Sequence, residues 1–183
     1  MKNQILGLAA AALMLAACSS TVADEKTNVP LPIASRSGTV QFDQLSGYNA
    51  AQTQIANKIT SRFAAAGYGR PQQVAAVSVA IRESTLNPKA HNRGCNCFGL
   101  FQMNRSNGLG KGHSVSNLTN ADYNISLILK EASRFPSFKS ARTVDEAISV
   151  FVRNVTRPAN KPKVVRATIG TARKVEKSAK GAT

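Results

Sequence analysis

Acidic residues and cysteines are both scarce in this sequence. Its 183 residues include three cysteines, and nine aspartates and glutamates stand against 24 lysines and arginines. So few cysteines exclude a miniature domain held together by disulfides. Only one apolar run approaches the length of a membrane helix, which excludes a polytopic membrane protein. The 12 glycines and the lack of a sustained heptad exclude collagen and a coiled coil.

What remains is a small, strongly basic globular protein. A chain of this length accommodates one domain with appendages. Its net charge of +15 is compatible with nucleic acid, a membrane surface or an acidic polymer as partner. The charge alone does not choose among these three.

The N-terminus has the pattern of an export signal. Lys2 precedes an apolar run over residues 5–17, which ends in Leu15-Ala16-Ala17-Cys18. A run this short that ends in small residues is typical of a cleaved signal. The segment resembles the lipobox of bacterial lipoproteins. That resemblance implies a signal peptide over residues 1–18 and acylation of the Cys18 thiol, which would anchor the protein to a membrane.

Ser19 follows the cysteine, and the same resemblance implies transfer to the outer membrane, with the protein facing the periplasm. The alternative is an ordinary signal peptide whose cysteine is incidental. Loss of Lys2 with the signal lowers the net charge of +15 by only one. The basic excess therefore belongs to the exported protein, and export argues against nucleic acid as its partner.

Composition divides the rest of the chain into three segments. Residues 19–40 contain two prolines and a Ser-Gly pair without any period, which predicts a flexible tether. Residues 41–157 hold the predicted domain. Residues 158–183 form a basic C-terminal helix or tail with Glu176 as its one acid. This segment is either a cationic arm for an anionic polymer or lipid headgroups, or a solvated and frayed terminal helix.

Apolar periodicity predicts a mostly helical domain. One amphipathic helix runs from Ala51 to a stop at Gly67, and a second follows Pro71 and is apolar on every side over residues 74–81. Residues 91–119 are rich in Gly, Asn and Ser and predict a loop with a small hairpin. Two more helices begin at caps, which are Asn120 and the Thr143/Glu146 capping box.

Glu83 is the strongest candidate for chemistry. It lies at the foot of the buried helix, where desolvation and the negative end of the helix dipole both raise the pKa of a carboxyl group. A general acid at neutral pH needs such a pKa. The alternative is an ordinary surface glutamate or one paired with an arginine. Arg82 is adjacent, but consecutive side chains on a helix do not face each other.

The motifs around Glu83 resemble those of a known family. They are Ile81-Arg82-Glu83-Ser84-Thr85-Leu86-Asn87-Pro88-Lys89-Ala90, then Gly99-Leu100-Phe101-Gln102, then Leu118 and Asn124-Ile125. Over roughly residues 50–155 the order and spacing are similar to the lytic transglycosylase domain of the lysozyme-like superfamily. The resemblance implies an α+β lysozyme-like fold, with a helical body and a small hairpin or loop wall beside a sugar cleft.

The resemblance also implies a function, which is cleavage of peptidoglycan glycan strands between MurNAc and GlcNAc without hydrolysis. Glu83 would be the only acid/base, and no cofactor or metal is needed. The residues implied to support Glu83 or to contact the sugar are Ser84, Phe101, Gln102, Asn104 and Phe151. The alternatives are a hydrolytic muramidase on the same fold and a wall-binding lipoprotein without turnover. Asp122, Asp145 and Glu146 are better explained as charges at helix N-termini than as a second catalytic acid.

Two segments depart from the family pattern. Where many members carry Ala-Tyr-Asn-Ala-Gly, this chain has Phe151 in place of the tyrosine, and residues 151–158 are more similar to some phage-type wall-lytic domains. The second departure is Cys95-Asn96-Cys97, just before the Gly-Leu-Phe-Gln turn. These cysteines predict a local disulfide in an oxidising compartment, although free thiols and a metal site with His91 and His113 are alternatives.

A glycine-rich segment, Gly108-Leu109-Gly110-Lys111-Gly112, lies in the same region. It lacks the Ser or Thr after the lysine and the preceding strand of a phosphate-binding loop. We therefore interpret it as a flexible loop beside the cleft.

Overall fold

The computed structural model describes residues 38–181. The predicted signal peptide, the Cys18 acylation site and most of the predicted tether lie outside the described residues, so these remain predictions. Within the described range, no helix is both long enough and apolar enough to cross a membrane.

Helices make up most of the described chain, as predicted. A small sheet is inserted among them, with its three strands antiparallel in the order β1-β2-β3. The sixth helix continues directly into a π-helical segment, Phe151–Thr156. The elements are α1 (Ala50–Ala65), α2 (Arg70–Ser84), β1 (His91–Asn92), β2 (Cys97–Phe98), β3 (Met103–Asn104), α3 (Val115–Leu118), α4 (Ala121–Ala132), α5 (Pro136–Ser140), α6 (Val144–Val150) and α7 (Lys161–Ser178).

Capping side chains confirm where two predicted helices begin. The Asn120 side chain accepts a hydrogen bond from the Tyr123 N–H at 3.0 Å, so α4 starts where the sequence predicts. Thr143 and Glu146 form the predicted capping box at the start of α6. A glycine marks the C-terminal end of α1. Gly67 adopts a φ of +79°, which explains why the helix ends two residues earlier, at Ala65.

Helix α2 lies at the centre of the core, which confirms the prediction of an all-round buried helix. Every residue from 72 to 81 is buried, and α2 packs against α1, α6 and α7. Two of those residues are glutamines. The Gln72 amide donates to the Phe138 carbonyl at 2.8 Å, and the Gln73 side-chain oxygen accepts from the Val40 N–H at 2.8 Å. These buried amides therefore tie α2 to distant segments without losing hydrogen bonds.

The core extends past both predicted boundaries of the domain. Val40 is fully buried, although the sequence analysis assigned it to the tether. Gln41 pairs with Lys180 through two backbone hydrogen bonds, at 2.9 and 2.8 Å. Helix α7 packs against α2 and α6 through Val165, Thr168, Ala172 and Val175. The basic C-terminal segment is therefore a helix of the domain, and no edge of the core falls at residue 157.

Candidate active site

Glu83 is the next-to-last residue of α2, and the chain turns sharply after it. Thr85 and Leu86 both have left-handed backbones, with φ of 53° and 59°. Such conformations are unfavourable for residues other than glycine and need outside support. The buried Leu86 side chain and a hydrogen bond from the Gln52 amide to the Thr85 carbonyl, at 2.8 Å, supply it. The end of α2 is thereby fixed in place.

Ser84 connects the end of α2 to the opposite segment. Its hydroxyl lies within hydrogen-bond distance of two carbonyl oxygens, those of Ala80 at 3.1 Å and Leu100 at 2.9 Å. The second of these belongs to the Gly-Leu-Phe-Gln turn. Ser84 therefore joins the two segments that border Glu83, and it does not line the cleft described below.

Asn124 of α4 holds the Gly-Leu-Phe-Gln turn from behind. Its buried side-chain oxygen accepts from the Phe101 N–H at 3.1 Å, and its amide donates to the Leu118 carbonyl at 2.8 Å. A Cβ on Gly99 would lie 2.1 Å from that same Leu118 oxygen, so only glycine fits there. The Gln102 amide folds back onto the Gly99 carbonyl at 3.0 Å. The turn is thus rigidly built.

These segments enclose a cleft of about 750 Å³. Helix α2 contributes one wall, the sheet and its loops a second, and α4 with the π-helical segment and the turn after it a third. Three of the predicted sugar contacts, Phe101, Gln102 and Asn104, line this cleft together with Glu83. Its full lining is Arg82, Glu83, Asn92, Cys95, Cys97, Phe101, Gln102, Met103, Asn104, Asn107, Gly108, Leu109, Ile128, Val155, Thr156, Arg157, Pro158 and Ala159.

Glu83 is the only carboxyl group among the described residues that lines the cleft. Burial raises its pKa from the ordinary 4.5 to about 7, and the neighbouring Arg82 guanidinium opposes this shift. No described residue donates a hydrogen bond to it or forms an ion pair with it. A substantial fraction of the Glu83 side chains is therefore protonated at neutral pH, as a proton donor requires.

The other described carboxylates are all occupied. Each either pairs with a cation or caps a helix: Asp43 with Lys180, Asp122 with Lys58 and Arg62, Glu131 with Arg134 and Arg157, Asp145 and Glu176 with Arg173, and Glu146 at the start of α6. Glu83 is thus the exception in a chain that has few acids and many cations.

Comparison with known families agrees with this architecture. The family model of the phage tail lysozyme matches residues 54–179. The chain belongs to the phage tail lysozyme family. No curated protein matches it. The membership confirms the predicted lysozyme-like fold and indicates a peptidoglycan-degrading enzyme. It also agrees with the similarity of residues 151–158 to phage-type wall-lytic domains.

Phe151 packs in the core of the lysozyme-like domain. The prediction that it contacts the sugar is therefore wrong. Phe151 is fully buried and does not line the cleft. Its ring lies 5.0 Å from that of Phe138 and 6.3 Å from that of Phe63, measured between centroids. The ring of Phe101, which does line the cleft, lies 6.1 Å from the Phe151 ring between centroids. Phe151 therefore supports the cleft wall from within the core.

The cysteine pair borders the cleft of the lysozyme-like domain. A disulfide joins Cys95, in the turn after β1, to Cys97, the first residue of β2. The two histidines of the alternative metal site make other contacts: His91 stacks on Phe98 with ring centroids 4.2 Å apart, and the His113 Nδ1 lies 2.8 Å from the Tyr123 hydroxyl. The described residues contain no group of three metal-binding side chains.

The third wall of the cleft, formed by the π-helical segment and the turn after it, does not follow from the sequence patterns. Thr156 ends that segment, and its buried hydroxyl oxygen has no partner among the described residues. Arg157 follows with a left-handed φ of 50° and reaches Glu131 at 3.2 Å. Pro158 signals the end of a helix, but nothing in the sequence marks a π-helical turn, because the extra residue per turn leaves no simple apolar period.

Proposed function

We propose that this protein is a peptidoglycan lytic transglycosylase that cleaves the β-1,4 bond between MurNAc and GlcNAc and leaves 1,6-anhydro-MurNAc ends. The observation that carries the proposal is the isolation of Glu83. It is the only described carboxyl group in the cleft, it has no partner there, and its pKa is about 7. A single acid with a pKa near neutrality suits a mechanism with one acid/base group.

In the first step, protonated Glu83 gives its proton to the glycosidic oxygen, and the bond from that oxygen to the MurNAc anomeric carbon breaks. The acetamido carbonyl oxygen of the same sugar stabilises the cation that develops at this carbon. GlcNAc leaves with the proton on its new hydroxyl group. Glu83 is now an ionised carboxylate in a largely buried position, where it is a stronger base than in water.

In the second step, Glu83 takes the proton of the MurNAc C6 hydroxyl group. The freed oxygen attacks the anomeric carbon of the same sugar and closes the 1,6-anhydro ring. Glu83 is protonated again, so the cycle ends as it began. Intramolecular attack has a high effective molarity, which favours the ring over attack by water.

Two-carboxylate hydrolysis fits the site less well. Inverting glycosidases hold two carboxyl groups roughly 6.5–9.5 Å apart and retaining ones roughly 5–5.5 Å apart. Within residues 38–181, Glu83 has no such companion in the cleft. A substrate that supplies both the stabilising carbonyl group and the nucleophile removes the need for one.

Three cleft residues are candidates to hold the sugar, namely Phe101, Gln102 and Asn104. The Gln102 NH₂ group donates to the Ala90 and Gly99 carbonyls, at 3.3 and 3.0 Å, so its side-chain oxygen is the part left for substrate. Phe101 supplies an apolar surface. The Asn104 side-chain oxygen already accepts from the N–H groups of Ser106 and Asn107, so its NH₂ group is the part left for substrate.

A hydrolytic muramidase on the same site is the second candidate, and the family described as phage tail lysozyme favours it. Water would then replace the C6 hydroxyl group as the nucleophile, with the same loss of a proton to Glu83. A wall-binding protein without turnover is the third.

Mass spectrometry of the fragments released from purified sacculi separates the three. Transglycosylation yields anhydro ends, hydrolysis yields reducing ends heavier by one water, and a binding protein releases nothing. Anhydro ends that vanish with Glu83→Gln support the proposal. Reducing ends, or release that persists in this variant, would overturn it.

For localisation, we propose that Cys18 is acylated and holds the domain at the outer membrane, facing the periplasm. The support is the Leu15-Ala16-Ala17-Cys18 motif followed by Ser19. Radiolabelled palmitate should enter the wild-type chain and be absent from Cys18→Ser. Equal label in both chains would contradict this assignment.

A further inference from the structure

Helix α7 has two faces of opposite character. Val165, Thr168, Ala172 and Val175 are buried against the core. The opposite face carries four exposed cations, Lys163, Arg166, Lys174 and Lys177, which we name the cationic stripe. At 3.6 residues per turn these four lie within an arc of about 80° and extend over about 21 Å.

The cationic stripe has no internal role in the described chain. None of its four side chains forms an ion pair with a described carboxylate, whereas Arg173 on the same helix pairs with both Asp145 and Glu176. Like charges spaced three or four residues apart destabilise a helix. The two spacings of three residues, Lys163 to Arg166 and Lys174 to Lys177, thus bring like charges together with no ion pair to a described carboxylate as compensation.

We infer that the cationic stripe binds the carboxylate-bearing peptide stems of a peptidoglycan strand, so that the domain is held on its polymeric substrate. This inference rests on the proposed function for the identity of the polymer. A row of charges about 21 Å long suits an extended polyanion better than a single small anion, because each cation meets a separate carboxylate. Gly170 lies midway along the row and adds no side chain above the helix surface.

The structure favours a polymer over a lipid surface. Helices that bind membrane interfaces insert an apolar face between the headgroups. The apolar face of α7 is already packed on the core, and the only large apolar side chain strongly exposed within residues 38–181 is Val115 in α3. The stripe also carries no aromatic residue on which a nucleic-acid base could stack.

Co-sedimentation of the full chain with purified sacculi tests the inference, with binding measured in the non-cleaving Glu83→Gln background. The stripe variant changes Lys163, Arg166, Lys174 and Lys177 to Gln. A matched control changes three exposed lysines and one exposed arginine elsewhere to Gln, namely Lys89, Lys130, Lys139 and Arg142, so both variants lose the same charge. We expect the stripe variant to bind at least about tenfold more weakly at 50 mM salt and the control to bind nearly as before, with the difference fading at 1 M salt.

Three further binding experiments identify the partner, with amidated sacculi, anionic vesicles and duplex DNA. Sacculi whose carboxylates have been amidated should lose the stripe-dependent part of binding. The stripe variant should bind more weakly than the control by a smaller factor on anionic phospholipid vesicles and on duplex DNA than on sacculi. Equal weakening in the two variants, unchanged binding to amidated sacculi, or a larger stripe effect on vesicles or DNA would each overturn the inference.

The proposed function is tested separately, by measuring glycan cleavage in proteins that retain Glu83. Cleavage of short peptide-free glycan fragments should survive in the stripe variant and fail in Glu83→Gln. Failure of cleavage in the wild type would refute the activity without touching the binding result.

Discussion

Two glutamates occupy the same position on two helices and have opposite surroundings. Glu83 is the next-to-last residue of α2, and Glu131 is the next-to-last residue of α4. Glu131 is only 5% exposed, and two arginines meet it, Arg134 at 3.0 Å and Arg157 at 3.2 Å. Glu83 lies against an open cleft and has no partner among residues 38–181.

The difference shows how this chain separates a structural acid from a reactive one. Basic residues outnumber acids 24 to nine, so a carboxylate left without a cation is unusual here. Glu131 fastens Arg157 and the end of the third cleft wall to α4. Glu83 is left with a pKa of about 7 because burial removes water and Arg82 compensates only in part. The presence or absence of arginine partners, more than residue type or position in the helix, decides the role of each glutamate.

The largest expected effect is the loss of activity in Glu83→Gln. Glutamine keeps the shape of the side chain but cannot donate and recover a proton. General acid–base catalysis contributes about 10²–10⁴-fold, so fragment release from sacculi should fall by about that factor. Circular dichroism should show an unchanged fold, and a variant that keeps more than a tenth of the activity would remove Glu83 from the mechanism.

Glu131→Gln should show the opposite pattern. It leaves two arginines without their buried carboxylate, which we expect to cost about 1–3 kcal/mol of unfolding free energy in urea. Activity per folded molecule should stay within a factor of a few. If this variant instead lost activity as completely as Glu83→Gln while remaining folded, the contrast between the two acids would fail.

The pH dependence of stability sharpens the contrast further. A carboxyl group with a raised folded-state pKa stabilises the fold fully below its unfolded pKa, and that contribution is lost as the pH rises through about 7. Glu83→Gln should therefore exceed the wild type in unfolding free energy by about 1–3 kcal/mol at pH 9 and match it near pH 4. Urea unfolding at the two pH values measures this, and a constant difference would contradict it.

Arg82→Gln should have the smallest effect. Arg82 lowers the pKa of Glu83 against the larger influence of burial. Its removal should move the descending limb of the activity profile to higher pH, with Arg82→Lys close to the wild type. The pH midpoint of kcat/KM is the informative value, since Arg82 also lines the cleft and a change in rate alone would be ambiguous. A midpoint that moves to lower pH would show that the sign is wrong.

The sequence predicted the parts of the molecule that depend on local patterns. Helices α1, α2, α4 and α6 follow from apolar periods and caps, and Glu83 follows from a scarce acid at the end of an all-apolar helix. The two-residue strands and the short helices α3 and α5 are too brief to show a period. Side chains from other elements hold some of them: Asn124 donates to the carbonyls of Phe98 in β2 and Leu118 in α3, and Gln72 donates to the Phe138 carbonyl in α5.

The remaining differences between prediction and structure concern the direction of side chains and the packing around them. The resemblance to lytic transglycosylases aligns Phe151 with a tyrosine, but sequence spacing does not say that its ring points into the core. In α7 the charges dominate the pattern, while its buried face of Val165, Thr168, Ala172 and Val175 is small and partly polar. The cleft wall at Thr156 depends on a π-helical turn that residue patterns do not encode.

The central claim is that Glu83 is the proton donor of the cleft, and an NMR pH titration of its carboxyl group tests this most directly. The carboxyl carbon resonance reports the titration and is assigned because it is absent from Glu83→Gln. An unpaired, buried proton donor predicts a midpoint of about 7. A midpoint near the ordinary 4.5 would mean that Glu83 is fully ionised at neutral pH. That result would contradict its role as the acid of the cleft.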